Sequence, residues 1–510
     1  MLRKIMGEFT FRKSAGLKDL SLAVISAFFL ALSFPKFNLE FLAWLGFIPL
    51  FSALKDSSRL KAFLLSFSCG LVFWVITVYW LMYVTVPGTI VLILYLALYF
   101  GVFGLIVRAI PFSGPRLFLI PAMWVLLEYL RSQLLTGFPW ALLGYSQYLN
   151  LPMIQIADIF GAWGVSFLVV MVNAALYFLI SEKKIKSSII PLVILIAVLS
   201  YGFYRLTTHD LKSASGKSIK VSVIQGNIPQ ELKWYPGARQ EIMEKYIMLS
   251  RLAAQEKPDL IVWPEAAVPV ILEEEPAYYE MVCNLAKQVK TPLLFGAVTS
   301  RQGLYYNSAL MVSPGGEMIG RYDKLHLVPF GEYIPLRKIL PFLETIVPIG
   351  DISPGKEYTL FNVNLPGVGH NLRSKFGVLI CFEDVFPGLS RQFALRGAQF
   401  LVNITNDAWY QHSFASYQHF QASVFRAVEN RVAVLRSANT GVTGFISPEG
   451  RIISLVRDTH SRELFVDGFK LQSIPAKKGA TSIYTRFGDW FIIVLCFLMG
   501  LIFLPANRYR

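Results

Sequence analysis

Residues 62–107 contain no charged side chain, and this absence constrains the fold more than any other feature of the sequence. One transmembrane helix needs about 20 apolar residues to cross the hydrocarbon core of a bilayer, so the run is long enough for two. Pro87 and Gly88 interrupt it, and this pair is typical of a tight turn. The sequence therefore predicts two membrane-spanning helices joined at Pro87-Gly88.

Other apolar runs predict further spans on both sides of this pair. They lie near residues 19–34, 38–54, 159–181, 188–204 and 488–505, with a weaker run at 117–135 that Glu128 and Arg131 interrupt. Lys and Arg clusters flank these runs, and all of them lie on the cytoplasmic side only if the weak run also crosses. We therefore expect eight transmembrane helices, cytoplasmic termini, and one large hydrophilic insert on the outer face. A cleaved signal peptide is the alternative for the first run, but no small-x-small cleavage motif precedes Pro35.

The composition supports a membrane protein and excludes other classes. Hydrophobic residues make up 54% of the chain, charged residues make up 16%, and the mean hydropathy is +0.50. The net charge of +15 does not indicate nucleic-acid binding, because the basic residues gather in short clusters between apolar runs. Two of the four cysteines, Cys69 and Cys496, lie inside apolar runs, so no disulfide framework is predicted.

The hydrophilic insert has the pattern of a separate layered α/β domain. Short apolar strands such as 219–228, 292–299 and 376–383 alternate with amphipathic stretches that predict helices. We expect three regions: a seven-helix transmembrane region at 1–216, the insert at 217–485, and a C-terminal transmembrane helix at 486–510.

Three reactive side chains of the insert follow apolar segments. Glu265 ends "DLIVWPE", Lys324 lies in "GRYDKLHLVPFGEYIPL", and Cys381 ends "FGVLIC". The carboxyl ends of strands in an α/β sheet collect at one edge, so the three side chains can converge. A carboxylate can take the thiol proton, the thiolate can attack a carbonyl group, and an ammonium can stabilise the oxyanion. Each residue also has a structural alternative: a buried small hydrophobe for the Cys, a helix cap for the Glu, and a solvated turn for the Lys.

The motifs together resemble a known family. The motifs are "VWPEAAVP", "YDKLHLVPFGEYIPL", "LICFEDVFP" and "NITNDAWY" followed by "RAVENRVAVLRSANTG", and they resemble the nitrilase superfamily. Seven hydrophobic spans precede the insert and one follows it. With these spans, the whole chain resembles the membrane-bound apolipoprotein N-acyltransferase family. The resemblance implies an αββα sandwich in the periplasm and a location in the bacterial inner membrane. It also implies an acyl transfer, the last step of lipoprotein maturation, from a phospholipid such as phosphatidylethanolamine to the diacylglyceryl-modified N-terminal cysteine of an apolipoprotein.

The resemblance also assigns roles to residues. It implies that Glu265 is the proton acceptor, Lys324 stabilises the oxyanion and Cys381 is the nucleophile. The supporting positions that it implies are Glu332, Glu383, Trp234 and Phe382. Phe382 departs from the family pattern, in which a Tyr more often follows the nucleophile, so a phenolic hydroxyl is absent there.

The expected reaction proceeds through a thioester on Cys381, without a metal or a cofactor, in a monomeric protein. An extended strand would place Glu383 on the same side as Cys381 and turn Asp384 away. Two alternatives remain: a membrane-anchored nitrilase-type amidase acting on a small substrate, and a transporter or scaffold with an inactive domain. Eight spans exceed what an anchor requires, and an inactive domain commonly loses a residue of such a triad.

Overall fold

The computed structural model divides the chain into two compact units. It describes residues 2–110, 116–183, 185–213, 218–333, 352–364, 373–475 and 481–503. One unit, termed the helical unit, comprises Met1–Tyr204 and Asp489–Arg510. The other, termed the α/β unit, comprises Arg205–Gly488.

The helical unit consists of α-helices and short 3-10 helices. In chain order the α-helices are α1 (Leu2–Leu32), α2 (Ile48–Leu54), α3 (Arg59–Val78), α4 (Val86–Ala109), α5 (Arg116–Arg131), α6 (Leu151–Ile154), α7 (Ala157–Phe160), α8 (Ala162–Glu182) and α9 (Ile185–Ser213), which ends in the α/β unit; Trp490–Phe503 is the last helix of the chain. Among the described residues, four helical segments are long and apolar enough to cross a membrane: Arg59–Tyr83, Val86–Ala109, Ala162–Ser181 and Ser188–Thr208. A membrane domain is therefore confirmed, whereas four such segments do not establish eight crossings.

Several details of the predicted spans are wrong. Residues 38–54 do not form one helix, because a 3-10 helix at Glu40–Trp44 is separated from the seven-residue α2. The turn in the charge-free run lies before Pro87 rather than at it, since Thr85 caps α4 and its hydroxyl accepts a hydrogen bond from Gly88 N. Pro in the first turn of a helix loses no intrahelical hydrogen bond, which is why α4 tolerates it.

The two charges that weakened the run at 117–135 are buried and used for structure. α5 ends at Arg131, whose guanidinium donates to the carbonyl oxygens of Phe138 and Trp140 at 2.6 and 2.8 Å. The carboxylate of Glu128 accepts from Leu143 N at 2.7 Å. These contacts fold the segment after α5 back onto the helix and satisfy backbone groups that lipid cannot.

The α/β unit is built from thirteen described strands and the helices between them. The strands are β1 (Ser218–Gln225), β2 (Leu260–Val262), β3 (Val268–Ile271), β4 (Leu293–Arg301), β5 (Leu304–Val312), β6 (Met318–Asp323), β7 (Leu360–Asn364), β8 (Arg373–Ile380), β9 (Phe400–Thr405), β10 (Ala433–Ala438), β11 (Gly444–Ile446), β12 (Ile452–Leu455) and β13 (Gly468–Pro475). The helices are α10 (Arg239–Gln255), α11 (Pro276–Val289), α12 (Pro387–Leu395), α13 (Ala415–Asn430) and α14 (Ile483–Phe487), followed in the helical unit by α15 (Trp490–Phe503).

These strands form two mixed sheets. The first has the order β13-β1-β2-β4-β5-β6, with β3 paired to β4, and the second has the order β12-β11-β10-β9-β8-β7. The central pairs β1-β2, β2-β4, β8-β9 and β9-β10 are parallel, and the edges are antiparallel. The two sheets face each other, since β1 packs on β10 and the hydroxyl of Ser437 donates to Ile224 O at 2.8 Å.

Helices cover the outer faces of both sheets. α10 packs against β1, β3 and α11, while α12 and α13 pack against β8 and β10. Under α10 lies an apolar core in which Tyr246 stacks on Trp263 with ring centroids 5.0 Å apart. The predicted αββα sandwich is confirmed, and it brings the ends of strands from both sheets to one region.

Candidate active site

The three triad candidates converge in the α/β unit. Glu265 lies in a turn after β2, Lys324 follows β6 directly, and Cys381 follows β8 directly. All three are buried, with 7%, 1% and 7% of their surface exposed. The Lys324 Nζ atom lies 3.7 Å from Glu265 Oε1, and the Cys381 thiol interacts electrostatically with both residues. The arrangement holds an acid-base group, a cation and a thiol within one buried site.

The turn that carries Glu265 packs directly on the backbone of β4. Gly296 N donates to Pro264 O, and Ala267 N donates to Gly296 O, at 3.1 and 2.8 Å. A Cβ atom at Gly296 would lie 2.7 Å from the Cα of Glu265, which is too close for any side chain. Glycine at this position therefore fixes the carboxylate at the end of the strand.

Glu332 holds the ammonium of Lys324. The Lys324 Nζ atom lies 2.9 Å from the Glu332 carboxylate, which also accepts from Val328 N at 2.8 Å. Burial by itself lowers the pKa of Lys324, but the carboxylates of Glu332 and Glu265 outweigh burial and raise that pKa above its ordinary value. Lys324 is therefore a permanent cation in the site.

Asn307, a residue that sequence reasoning missed, joins the two carboxylates. Its Nδ2 atom donates to Glu265 Oε1 at 2.7 Å and to Glu332 Oε1 at 2.8 Å. Asn307 lies on β5, and its carbonyl oxygen accepts from Lys324 N at 2.9 Å. An isolated Asn inside a strand carries no motif, so only the sheet pairing shows this role.

Cys381 is held in an unusual backbone conformation. Its φ angle is +53°, which costs a side-chain-bearing residue about 1–2 kcal/mol. Asn403 Nδ2 donates to its carbonyl oxygen at 3.1 Å, and His419 Nε2 lies 3.2 Å from the same oxygen. Burial raises the pKa of the thiol, Glu265 raises it further, and Lys324 lowers it. The strain and the charges are both typical of a functional position.

The extended strand on which the predicted placement of Glu383 rests is not present. β8 ends at Ile380, and Cys381–Val385 forms a 3-10 helix, so alternation along a strand does not apply there. Glu383 is fully buried and accepts hydrogen bonds from Tyr322 Oη and from the backbone nitrogens of Leu325, His326 and Ile380, at 2.7 to 3.1 Å. Burial raises its pKa to about 7. Glu383 thus ties the segment after Lys324 to the end of β8.

Asp384 lies in a buried network with His419, Arg436 and Asp407. Its carboxylate pairs with His419 and Arg436 at 2.8 and 3.1 Å, and Asp407 pairs with the same two residues at 2.9 and 3.0 Å. Burial and Arg436 act to lower the pKa of His419, but the two carboxylates outweigh them and raise it to about 8. The network fixes the carbonyl side of Cys381.

The two aromatic candidates differ in their exposure to solvent. Phe382 is buried and packs edge-on against Phe386 with centroids 5.2 Å apart. Trp234 lies in a turn after β1 and is 42% exposed. A phenol does reach this region, from Tyr410, whose pKa is raised by burial and by Cys381 and Asp407.

Lys233 is a second buried lysine that sequence reasoning missed. It is 2% exposed, and its Nζ atom donates to the carbonyl oxygen of Glu265 at 3.0 Å. It directly precedes Trp234 in "QGNIPQELKW". Its position between the apolar residues Leu232 and Trp234 is the sequence feature that could have indicated its burial.

Family models match both units of the chain. The model described as apolipoprotein N-acyltransferase N-terminal domain matches residues 26–175, and the model described as carbon-nitrogen hydrolase matches residues 220–475. The α/β unit also resembles the crystal structure of an amidase from Nesterenkonia sp., at 16% identity and a TM-score of 0.39, over 55% of this chain and 96% of that chain.

Curated relatives match nearly the whole length. The apolipoprotein N-acyltransferase of Geobacter metallireducens is 41% identical over 500 residues, which cover 93% of this chain and 92% of the relative. The apolipoprotein N-acyltransferase of Methylococcus capsulatus is 32% identical over 520 residues, which cover 96% and 97%.

Proposed function

Because the chain belongs to the apolipoprotein N-acyltransferase family, we propose that Cys381 carries an acyl chain from a phospholipid to an apolipoprotein. The acyl donor is a phospholipid such as phosphatidylethanolamine. The acceptor is the α-amino group of the diacylglyceryl-modified cysteine at the apolipoprotein N-terminus. The observation that carries this proposal is the convergence of Glu265, Lys324 and Cys381 in one buried site.

The first half-reaction forms a thioester. The Glu265 carboxylate takes the proton from the Cys381 thiol, and the thiolate attacks the ester carbonyl carbon of the phospholipid. Lys324 and a backbone N–H stabilise the oxyanion of the tetrahedral intermediate. When the intermediate collapses, the glycerol oxygen leaves with the proton from Glu265, and a lysophospholipid departs.

The second half-reaction forms an amide. The α-amino group of the acceptor attacks the thioester carbonyl, and Glu265 takes a proton from the attacking nitrogen. Collapse of the second intermediate breaks the carbon–sulfur bond, and Glu265 returns the proton to Cys381. No oxidant, reductant or further cofactor is needed for this balance, and the kinetics are ping-pong.

Transfer to an amine must compete with hydrolysis by water. A preference of 10⁴ for the amine corresponds to a barrier difference of about 5.5 kcal/mol. The burial of all three triad residues supports this preference, since exclusion of water also strengthens the electrostatic interactions in the site.

The topology in the inner membrane is part of the same proposal. The basic clusters favour cytoplasmic termini and a periplasmic catalytic domain at 217–485, between seven helices in 1–216 and one in 486–510. Eight crossings then require residues 38–54 to cross as a 3-10 helix followed by α2. We expect the protein to act as a monomer.

The test is acyl-enzyme formation by the full-length protein. A phospholipid with a labelled acyl chain should give a labelled protein band that hydroxylamine removes, and a diacylated lipopeptide should then remove the label as an N-acyl product. C381A and C381S should give no band, whereas C283A removes another buried cysteine of the α/β unit and should label normally. Labelling of C381A would refute the assignment of the nucleophile. Release of free fatty acid without an N-acyl product would support the amidase alternative instead.

A further inference from the structure

Lys233 is buried next to the catalytic groups, and no carboxylate of the residues that the structure describes forms a contact ion pair with it. Lysine is almost never fully buried unless it is paired, because removing an ammonium from water costs several kcal/mol. The hydrogen bond of Lys233 goes to the backbone carbonyl oxygen of Glu265, not to its carboxylate. The charge of the ammonium is therefore left to act on the rest of the site.

The site needs a second cation for its charges to balance. Glu265 and Glu332 supply two negative charges, Lys324 supplies one positive charge, and Asn307 between them is neutral. Moving a proton from Cys381 to Glu265 transfers the negative charge to sulfur but leaves the sum unchanged. Without Lys233, the summed charge of Cys381, Glu265, Glu332 and Lys324 is −1 at every step. With protonated Lys233 added, the sum is zero.

We propose that Lys233 is the second cation of the active site, which offsets the negative charge on the Cys381 sulfur and on the oxyanion that replaces it. Lys233 is a positioning residue as well, because its hydrogen bond holds the turn that carries Glu265. The proposal rests on Cys381 being the nucleophile, and it adds to Lys324 a cation that no carboxylate in the described part of the chain contacts.

The electrostatics of the site agree with this role. Burial lowers the pKa of Lys233 to about 8, against the opposing effects of Glu265 and Cys381. Lys233 is therefore mostly charged at neutral pH and loses its charge as the pH rises above about 8. The other charged or titratable groups around it and around Cys381 are Glu265, Lys324, Glu332, Glu383, Asp407, Tyr410 and His419.

The test is the pH dependence of Cys381 alkylation by iodoacetamide in the full-length protein. Only the thiolate reacts, and mass spectrometry of the Cys381 peptide reports this residue alone. K233Q keeps a donor for Glu265 O but removes the charge, and K233M removes both. Removing a neighbouring positive charge should slow alkylation of Cys381 at pH 7 roughly tenfold in both variants, and the difference from wild type should shrink above about pH 8, where Lys233 itself loses its charge.

The controls separate charge from structure. Lys257 is an exposed lysine of the same unit, and K257M should leave the profile unchanged. If K233M unfolds, K233Q still provides the measurement. A wild-type profile in a folded K233Q would overturn the proposal, because Lys233 would then serve only as a hydrogen-bond donor to the turn. The assay needs no lipid substrate, so its outcome is independent of whether the proposed acyl transfer occurs.

Discussion

The ammonium of Lys324 lies nearer to Glu332, at 2.9 Å, than to Glu265, at 3.7 Å. The two carboxylates therefore divide their tasks. Glu332 binds the cation and keeps it charged, and the role proposed for Glu265, proton transfer to and from Cys381, falls to the carboxylate that lies farther from the ammonium.

Replacing Glu332 by Gln should remove the anion that keeps Lys324 charged. Burial then acts on Lys324 with its nearest anion removed, so the pKa of Lys324 should fall. We expect E332Q to form the labelled thioester roughly 100-fold more slowly, as when one preorganised charge is lost from an oxyanion site. The alkaline limb of the rate profile should also move to lower pH.

The matched control for E332Q is E317Q, a change at an exposed glutamate of the β5-β6 hairpin. It should leave both the rate and the pH profile at the wild-type values. A wild-type rate and profile in E332Q would show that Glu332 does not hold the catalytic cation.

Asn307 should contribute to stability as well as to rate. N307L removes the Nδ2 donor that lies between the Glu265 and Glu332 carboxylates, and a buried and a partly buried acceptor lose a partner at a cost of about 1–3 kcal/mol. N307D should be worse, because it places a third carboxylate beside the other two. We expect a lower unfolding temperature and slower thioester formation in the order wild type, N307L, N307D. N362L, at an exposed position of β7, is the control, and an equal effect in N307L and N362L would contradict the bridging role.

The convergence of the triad could be predicted because it depends on a general property of sheets. Glu265, Lys324 and Cys381 each follow a run of strand-forming residues, and strand ends meet at a common edge. The alternation of apolar strands and amphipathic helices likewise predicted the layers of the α/β unit. Both inferences use patterns that are local in sequence.

The failures concern features that depend on tertiary structure. The backbone of Cys381 leaves the strand with a positive φ angle, which neighbours such as Asn403 and His419 stabilise from other elements. Alternation along an extended strand therefore does not apply to Glu383. Lys233 and Asn307 belong to the site through burial and sheet pairing, and neither property is visible in the residues beside them.

Glu383 should position Lys324 through the backbone rather than by direct contact. Four donors converge on its carboxylate, so E383Q offers one acceptor oxygen and turns an amide N–H₂ group towards the remaining donors. We expect E383Q to lower the free energy of unfolding by about 1–3 kcal/mol and to slow thioester formation. The wild-type carboxyl is itself protonated below its pKa of about 7. Ionisation of this carboxyl lowers the stability of wild type as the pH rises, whereas E383Q does not titrate, so the difference in the free energy of unfolding should be smaller at about pH 8 than at about pH 6. A difference independent of pH would contradict the assignment.

His419 should make the stability of the α/β unit depend on pH in a specific window. Its pKa is raised from 6.5 to about 8 in the folded protein, so the stabilisation is fully present below pH 6.5 and is lost as the pH rises through about 8. A shift of this size corresponds to roughly 2 kcal/mol. The wild-type unfolding temperature should therefore fall across this window, and H419Q should be less stable than wild type below it and show a flatter profile within it.

Two other groups also make the stability depend on pH, and their effects on the free energy of unfolding have opposite signs. The raised pKa of Glu383, about 7 against 4.5, removes stability mainly below the His419 window, between these two values. The lowered pKa of Lys233, about 8 against 10.5, adds stability above the window as the pH rises. H412Q, at an exposed histidine, should keep the wild-type profile. An H419Q profile as steep as that of H412Q would show that the imidazolium beneath Cys381 is not the group that titrates.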